Sequence, residues 1–224
     1  MNLELRDRLD KIFNLIEDSR KKVSRHHIVK IVAVTKYSDE NIVRKLYEIG
    51  QRAFAENKVQ DLELKSQILE ELPLEWHFIG SLQKNKINKL ISINPSLFQS
   101  LNSIELAQNL DERLKKTGKR MSVLLQINSS REIQKFGVEP EKAIDIYQEI
   151  KERFPHINLK GIMAMGSHSL NSDEVRNSFK DSCKIFDFLK KDGATICSMG
   201  MSQDFEIAIS EGSNMVRLGS ILTK

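Results

Sequence analysis

The chain has 224 residues, of which 40% are hydrophobic and 29% charged, a balance typical of a soluble globular protein with one sizeable core. The 35 basic and 31 acidic side chains leave a formal net charge of +4, and the basic residues are dispersed, which argues against nucleic-acid binding. The charged amino terminus lacks the apolar segment of a signal peptide, and no apolar run is long enough to span a bilayer. We therefore expect a cytoplasmic protein that binds neither nucleic acid nor membrane.

The first predicted element is a helix over residues 3–22, where Leu9, Ile12 and Ile16 fall at helical spacing. Eight strand-like runs follow, and the first, Ile28–Lys36, is rich in β-branched residues, as a strand buried on both faces is. The other seven are Arg52–Asn57, Glu75–Gly80, Leu97–Asn102, Met121–Asn128, Leu159–Gly166, Ala194–Met201 and Asn214–Ile221. Amphipathic segments separate the strands, one between Ser38 and Gly50 and others at roughly 58–71, 82–92, 103–117, 140–152, 172–190 and 203–211.

Capping signals delimit several of these helical segments. Ser38, Asn102 and Ser172 precede amphipathic segments and are predicted N-caps, since their side chains can accept hydrogen bonds from the first unpaired amides. Gly118 and Gly193 follow such segments and are predicted to end them, because glycine readily adopts the left-handed conformation of a helix end.

Strands and helices alternate along the chain, which predicts a parallel sheet flanked by helices. Eight repeats in one compact chain favour closure of that sheet into a (β/α)8 TIM barrel with an extra N-terminal helix, formed as a single domain over residues 1–224. The alternative is an open doubly wound sheet. It is disfavoured because neither GxGxxG nor a P-loop follows any predicted strand.

Lys36 stands at the carboxyl end of the first predicted strand, the end at which such barrels place their functional residues. It shares strand parity with Val32 and Val34, so its side chain is predicted to point the same way as theirs. An amine held against an apolar wall loses solvation, and a neutral lysine amine attacks an aldehyde to form an imine. The alternative is a lysine that extends from a strand end into solvent.

A phosphate cradle is predicted where the seventh strand meets the next helix, in the segment Ser198, Met199, Gly200, Met201 and Ser202. Gly200 allows close approach of the backbone, and a helix that begins near Gln203 would offer unpaired amides. Gly219 and Ser220, in the eighth strand, would complete the cradle, because phosphate sites at strands 7 and 8 recur in this fold. The alternative is an ordinary turn capped by Ser202.

Two further polar residues lie inside predicted strands. Arg217 precedes Gly219 by two residues and is predicted to point deeper into the lumen, where the alternative role is an ion pair with a lumen carboxylate. His77 lies between two aromatic residues, and a hydrogen-bonded core histidine explains it as well as a binding role does. The two cysteines and the other histidines lack metal-ligand spacing, so no metal site is predicted.

Taken together, these residues resemble the pyridoxal phosphate homeostasis protein family, whose fold matches the N-terminal barrel of alanine racemase. The resemblance runs nearly end to end and depends on several motifs in order, none of which would be specific alone. They are IVAVTK at 31–36, FAENKVQD at 54–61, WHFIGSLQKNK at 76–86, LLQIN at 124–128, KFGV at 135–138, GIMAMG at 161–166, SMGMSQDFEIAI at 198–209 and VRLGS at 216–220.

The resemblance implies that the cofactor is pyridoxal 5′-phosphate (PLP), bound as a Schiff base on Lys36. It also implies that the turn after the seventh strand and the end of the eighth hold the phosphate, and that Arg217 lies near the pyridine nitrogen. Asn57 and His77 match family positions that line the pocket. The expected site residues are therefore those already singled out, together with Asn57.

An arginine beside the pyridine nitrogen disfavours protonation of the ring and so weakens it as an electron sink. The sequence ends soon after the eighth strand, so we expect no C-terminal domain of the kind that completes alanine racemase with a second acid-base group. We therefore expect a monomeric, non-catalytic carrier in vitamin B6 homeostasis, which passes PLP to PLP-dependent apoenzymes. The alternatives are a PLP-dependent amino-acid racemase and a Schiff-base aldolase.

Overall fold

Eight parallel strands form a closed barrel in the computed structural model, which describes residues 3–129, 136–167, 169 and 171–223. The strands are β1 (Lys30–Val34), β2 (Ala53–Glu56), β3 (Glu75–Phe78), β4 (Leu97–Leu101), β5 (Met121–Ile127), β6 (Ile157–Ala164), β7 (Ile196–Ser198) and β8 (Met215–Leu218). Neighbouring strands pair in chain order, and β8 pairs with β1, which closes the sheet. The predicted (β/α)8 barrel is confirmed, and the open-sheet alternative is wrong.

Helices cover the outside of the barrel. They are α1 (Leu3–Lys21), α2 (Glu40–Glu48), α3 (Val59–Ile68), α4 (Ile87–Ile93), α5 (Ile104–Thr117), α6 (Ala143–Arg153), α7 (Ser172–Leu189), α8 (Phe205–Ser210) and α9 (Ser220–Thr223), with short 3-10 helices at Lys84–Lys86, Pro140–Lys142 and Lys190–Asp192. The extra N-terminal helix, α1, buries Leu9, Ile12 and Ile16 and packs on α8 and α9. The apolar stripe predicted from the sequence is therefore the buried face of α1.

Strand residues alternate between an outer core under the helices and the barrel lumen. Along β1, Val32 faces the lumen whereas Ala33 belongs to the outer core. The buried apolar residues of the lumen are Val32, Ala53, Ala55, Leu97, Leu124, Met163 and Met215. Ala55 of β2 pairs in register with His77 of β3, so a small side chain on one strand leaves room for a large polar one on the next.

Every strand ends one to three residues earlier than the sequence predicts, and three of these ends adjoin predicted site residues. β1 ends at Val34, before Lys36, while β7 ends at Ser198 and β8 at Leu218. After β7 the backbone turns at Gly200, whose φ is +92°. The hydrophobic pattern misses these ends because several residues beyond them remain buried, although they no longer pair as strands.

The predicted helix ends are close to the observed ones. The capping side chains belong to Asp39, Ser103 and Asn171, each one residue away from the predicted cap, because neighbouring polar residues compete for the same amides. Gly118 and Gly193 end helical segments in the left-handed conformation, with φ of +64° and +92°, as predicted.

Candidate functional site

The turn after β1 carries Lys36. The Thr35 amide donates to the Ala55 carbonyl at 3.1 Å, and the Thr35 carbonyl accepts the Ser38 amide at 2.9 Å, so Lys36 and Tyr37 form the middle of a tight turn. Lys36 is exposed, and its Nζ lies 5.0 Å from the centroid of the Tyr37 ring. The predicted apolar shelter for this amine is therefore wrong, because the turn ends the strand parity on which that prediction rested.

A buried ion pair supports the backbone beneath this turn. Lys65 of α3 donates from Nζ to Glu56 Oε1 at 2.6 Å and to the Thr35 carbonyl at 2.8 Å. The Thr35 hydroxyl donates to the same Glu56 oxygen at 2.6 Å, and among the described residues no donor reaches Glu56 Oε2. We call these three residues the buried triad. Since a buried charge requires a partner, the triad fixes the residue that precedes Lys36.

Backbone amides converge where β7 and β8 end. The amides of Gly219 and Ile221 donate to Ser202 Oγ at 3.2 and 3.4 Å, an arrangement that we call the amide cradle. Two amides aimed at one oxygen suit an oxygen of a phosphate group equally well. A Cβ on Gly219 would lie 3.4 Å from the Val34 carbonyl oxygen, so the cradle adjoins the strand that leads to Lys36.

The turn after β7 depends on a glycine and an aspartate. A Cβ on Gly200 would lie 2.7 Å from Ala208 Cβ, and its φ is +92°, so the position requires glycine. The Met201 amide donates to Asp204 Oδ1 at 2.6 Å, which closes the turn before α8 begins at Phe205. The helix begins two residues later than predicted, and the alternative of a turn capped by Ser202 is wrong, because the Ser202 hydroxyl accepts from the Gly219 and Ile221 amides while Asp204 accepts from the Met201 amide.

Arg217 points into the lumen and is almost fully buried, as predicted. Its Nη1 donates to the carbonyl and the hydroxyl of Ser198 at 2.8 and 2.7 Å, and its Nη2 donates to the Ala164 carbonyl at 3.0 Å. These three acceptors are neutral, where the alternative predicted a lumen carboxylate. Desolvation lowers the pKa of Arg217 to about 10, while the charge of Asp204 raises it. The guanidinium is therefore a buried cation held by dipoles at neutral pH.

A hydrogen-bonded chain extends across the lumen from this arginine. The Ser198 hydroxyl donates to Gln99 Oε1 at 2.7 Å, and Gln99 Nε2 lies 2.7 Å from His77 Nδ1. His77 Nε2 lies 2.9 Å from Glu75 Oε1, and Glu75 also pairs with Lys30 Nζ at 2.6 Å. We call Glu75, His77, Gln99 and Ser198 the lumen chain.

Burial and hydrogen bonding set the charges at the far end of the lumen chain. Desolvation lowers the pKa of His77, although its hydrogen bond with Glu75 raises it, so the ring is neutral at neutral pH. The hydrogen bond with His77 and the one with Lys30 lower the pKa of Glu75 to about 2, against desolvation. Because both ring nitrogens of His77 have partners, the structure favours the hydrogen-bonded core histidine over a direct ligand contact.

The remaining predicted residues lie in different surroundings. Asn57 follows β2 and lines a cavity of about 210 Å³ together with Phe78 and Ser81. Met199 is buried in the outer core, and Ser220 is exposed at the start of α9. A larger cavity of about 710 Å³ lies between α1 and residues 25–29, beside the amino end of β1. That cavity contains none of the predicted site residues.

Sequence reasoning missed two groups that the structure brings to the site. Gln99 carries a recognisable signal, since a polar residue at the lumen parity of Leu97 in an apolar strand requires a buried partner. Lys65 carries a weaker one, because it follows the buried Leu62 by three residues, but a lysine on a helix is usually exposed. Only the packing of α3 on β2 reveals that Lys65 is buried.

Other side chains of the described segments bear on metal, redox and membrane chemistry. Within those segments, no group of three or more His, Cys, Asp or Glu residues is arranged to hold a metal ion. Cys183 and Cys197 are not joined by a disulfide, and burial raises the pKa of both thiols, that of Cys183 to about 11. Among the described helices, none combines the length and apolar character needed to cross a membrane.

The fold and the site place this chain among the closed (β/α)8 barrels that have an amide cradle and a buried arginine at the ends of β7 and β8. The profile of the family described as "Alanine racemase, N-terminal domain" matches residues 8–224. A pyridoxal phosphate homeostasis protein from Helicobacter pylori is 48% identical over 222 residues, which are 99% of either chain. The chain therefore belongs to the alanine racemase N-terminal domain family and, within it, to the pyridoxal phosphate homeostasis proteins.

Solved structures agree with this assignment. An unknown protein from Bifidobacterium adolescentis superposes with a TM-score of 0.90 at 30% identity, covering 98% of this chain and 94% of that one. PipY from Synechococcus elongatus PCC7942, solved with PLP bound, superposes with a TM-score of 0.84 at 27% identity, covering 98% and 100%. The resemblance predicted from the sequence motifs is confirmed.

Proposed function

We propose that this chain is a non-catalytic PLP-binding protein of vitamin B6 homeostasis, which carries the cofactor as a Schiff base on Lys36. The observation that carries the proposal is the convergence of the Gly219 and Ile221 amides on one oxygen, beside the strand that leads to Lys36. PLP joins a phosphate to a ring that bears an aldehyde, and the aldehyde condenses with an amine. PipY, a relative of known structure, holds PLP.

The amide cradle would bind the phosphate. A phosphate oxygen would take the place of Ser202 Oγ as the acceptor of the Gly219 and Ile221 amides, and the Ser202 hydroxyl would then donate to the anion. Gly200 and Gly219 keep side chains out of the backbone approach. Neutral donors that are already in place suit an anion without a large ordering cost.

Arg217 would face the pyridine nitrogen and discourage turnover. A cation at that position disfavours a protonated ring, because two positive charges would meet. The ring is then a weak electron sink and a poor catalyst of carbanion chemistry. The relatives are named homeostasis proteins rather than enzymes, which supports the same interpretation.

Lys36 must move away from the Tyr37 ring before it can form the covalent bond. Its flexible four-carbon stem allows that movement, while the buried Thr35 anchors the backbone beside β2 and β8. An exposed amine also leaves the imine accessible to water and to other amines. Exposure of Lys36 therefore suits reversible storage better than the fixed geometry that catalysis requires.

The visible absorption of the purified protein mixed with PLP tests the proposal. We expect a yellow protein that borohydride bleaches, with a reduced adduct mapped to Lys36 by mass spectrometry. Lys36→Ala should lose the adduct and retain weaker, non-covalent binding, whereas the control Lys45→Ala, at an exposed lysine on α2, should behave as wild type. A reducible adduct that persists in Lys36→Ala would overturn the assignment of this lysine.

The same samples distinguish the alternatives. A Schiff-base aldolase would be colourless and would be trapped by borohydride only together with its carbonyl substrate. A racemase loaded with PLP would interconvert amino-acid enantiomers at a rate well above that of PLP alone. Either result would replace the carrier proposal.

We propose that the carrier is a monomer and that its acceptors are PLP-dependent apoenzymes. Tyr37, which flanks Lys36, is 89% exposed, so an acceptor can approach the linkage. Sedimentation equilibrium should give the mass of a single chain. Reactivation of an apoenzyme by the loaded protein should exceed reactivation by an equal concentration of PLP when a scavenging enzyme removes free cofactor.

A further inference from the structure

The hydrogen bonds of the lumen chain run in one direction. The Glu75 carboxylate only accepts, so His77 Nε2 carries the hydrogen and Nδ1 is the acceptor of the neutral ring. Nδ1 then receives the Gln99 amide hydrogen, which leaves Gln99 Oε1 to accept the Ser198 hydroxyl. Ser198 Oγ in turn accepts from Arg217. Every donor therefore points toward Glu75, and the donor or acceptor role of each group determines the role of the next.

The lumen chain joins the two ends of the barrel. Lys30 and Glu75 begin β1 and β3 and are partly exposed, with side-chain exposures of 45% and 33%. His77, Gln99 and Ser198 are fully buried between them and the arginine. Burying so many polar groups in a lumen otherwise lined by Val, Ala, Leu and Met costs desolvation that an apolar core avoids. A contribution to stability alone therefore does not explain the presence of the lumen chain.

Gln99 determines whether the lumen chain can conduct protons. A carboxamide donates and accepts hydrogen bonds but does not pass a proton from one side to the other without changing into its unstable tautomer. Protons therefore do not travel from Ser198 to His77. The chain instead fixes orientation, because the Glu75 charge sets the tautomer of His77 and the tautomer sets the rotation of the Gln99 amide.

We propose that Gln99 and His77 are positioning residues, which hold the Arg217 guanidinium in the orientation that meets the cofactor ring. The Glu75 charge, at the other end of the lumen chain, fixes the tautomer of His77. The inference rests on the proposed function, since the ring is what Arg217 would meet. The Ser198 hydroxyl is the link, because it accepts from Arg217 while it donates to Gln99. Without Gln99 that hydroxyl rotates freely, and one of the bonds that hold the guanidinium weakens.

Two variants and a control test the inference in the full chain. Gln99→Met breaks the chain in the lumen, whereas Glu75→Gln keeps an acceptor for His77 but removes the charge at the partly exposed end. Leu97→Met, in the same strand and also in the lumen, changes packing beside His77, its partner in the strand register, but removes no polar group of the lumen chain. The measurements are the dissociation constant of PLP and the visible absorption maximum of the loaded protein.

We expect Gln99→Met to bind PLP about 2- to 12-fold more weakly, the range that corresponds to ordering one side chain on binding, and to shift the absorption maximum. Glu75→Gln should shift both quantities in the same direction by less, and Leu97→Met should shift neither. Nitrogen-15 NMR of the cofactor-free protein should show the Nε2-protonated tautomer of His77 and a changed Nδ1 signal in Gln99→Met.

The outcomes separate the two proposals. If wild type loads PLP while Gln99→Met and Glu75→Gln keep its affinity and absorption maximum, the positioning role is wrong and the proposed function stands. If Leu97→Met shifts the spectrum as much as Gln99→Met, lumen packing rather than the chain is responsible. If wild type itself does not load, the proposed function fails and the positioning role with it. Should Gln99→Met not fold, Glu75→Gln decides the question.

Discussion

The two sides of the barrel mouth, one at β1 and β2 and the other at β7 and β8, differ in which groups are held rigidly. On the β1–β2 side the rigid groups are the buried triad beneath the turn, while Lys36 itself is exposed. On the β7–β8 side the groups that would touch a ligand, the amide cradle and Arg217, are themselves held by hydrogen bonds. Under the proposed function, the non-covalent contacts would be in place before binding, whereas Lys36, the proposed covalent partner, is exposed. Such a division would suit the proposed carrier, because rigid donors favour affinity and an exposed lysine would favour exchange.

The largest expected effect concerns the rigid base of the β1–β2 side. Lys65→Met leaves the Glu56 carboxylate buried without its cation, which should lower the free energy of unfolding by about 3–5 kcal/mol. Lys89→Met, which removes a more exposed ion pair with Glu63, should cost less than about 1 kcal/mol. Urea denaturation compares them. Equal losses would mean that the buried triad does not support the turn.

The next effect concerns the tight turn on the β7–β8 side. Gly200 and Gly193 both have φ of +92°, but an added Cβ clashes only at Gly200, with Ala208 Cβ at 2.7 Å. Gly193→Ala should cost about 1 kcal/mol for the backbone strain, and Gly200→Ala about 2–4 kcal/mol because the clash adds to it. Thermal unfolding and PLP titration measure the pair. Similar stabilities of the two variants would show that the turn at Gly200 accommodates the added Cβ without strain.

A smaller effect appears as acid sensitivity of the lumen chain. The pKa of Glu75 is lowered to about 2 from 4.5, so its contribution to stability is present above about pH 4.5 and is lost as the pH falls toward about 2. Glu75→Gln removes that contribution, which solvent screening limits to about 1 kcal/mol. The difference in unfolding free energy between wild type and Glu75→Gln should therefore shrink in acid. A constant difference would contradict the assigned ion pairing.

The smallest effect is expected at the amide cradle. Ser202→Ala removes the acceptor of the Gly219 and Ile221 amides and should destabilise the cofactor-free protein by about 1 kcal/mol. PLP affinity should change by less than about threefold, since a phosphate oxygen would take over both amides. Ser210→Ala, at an exposed hydroxyl on α8, is the control. Complete loss of binding in Ser202→Ala would show that the hydroxyl, not the amides, holds the anion.

Much of the fold could be predicted because the signals are local. The alternation of apolar runs and amphipathic segments specifies eight strand–helix units, and the stripe of Leu9, Ile12 and Ile16 specifies the buried face of α1. Strand parity also placed Arg217 in the lumen. The same parity failed at Lys36, because a turn two residues earlier than expected releases the side chain from the pleat.

The sequence by itself determined the barrel and the family, since periodicity and motifs are properties of neighbouring residues. The tertiary structure alone decided that Ser198 bonds Gln99 across 99 residues and that Lys65 meets the Thr35 carbonyl across 30. Such partners are selected by barrel closure, which brings distant strands and helices within hydrogen-bond distance. Only after closure do buried polar groups have a unique set of partners, and only then are their charges and orientations fixed.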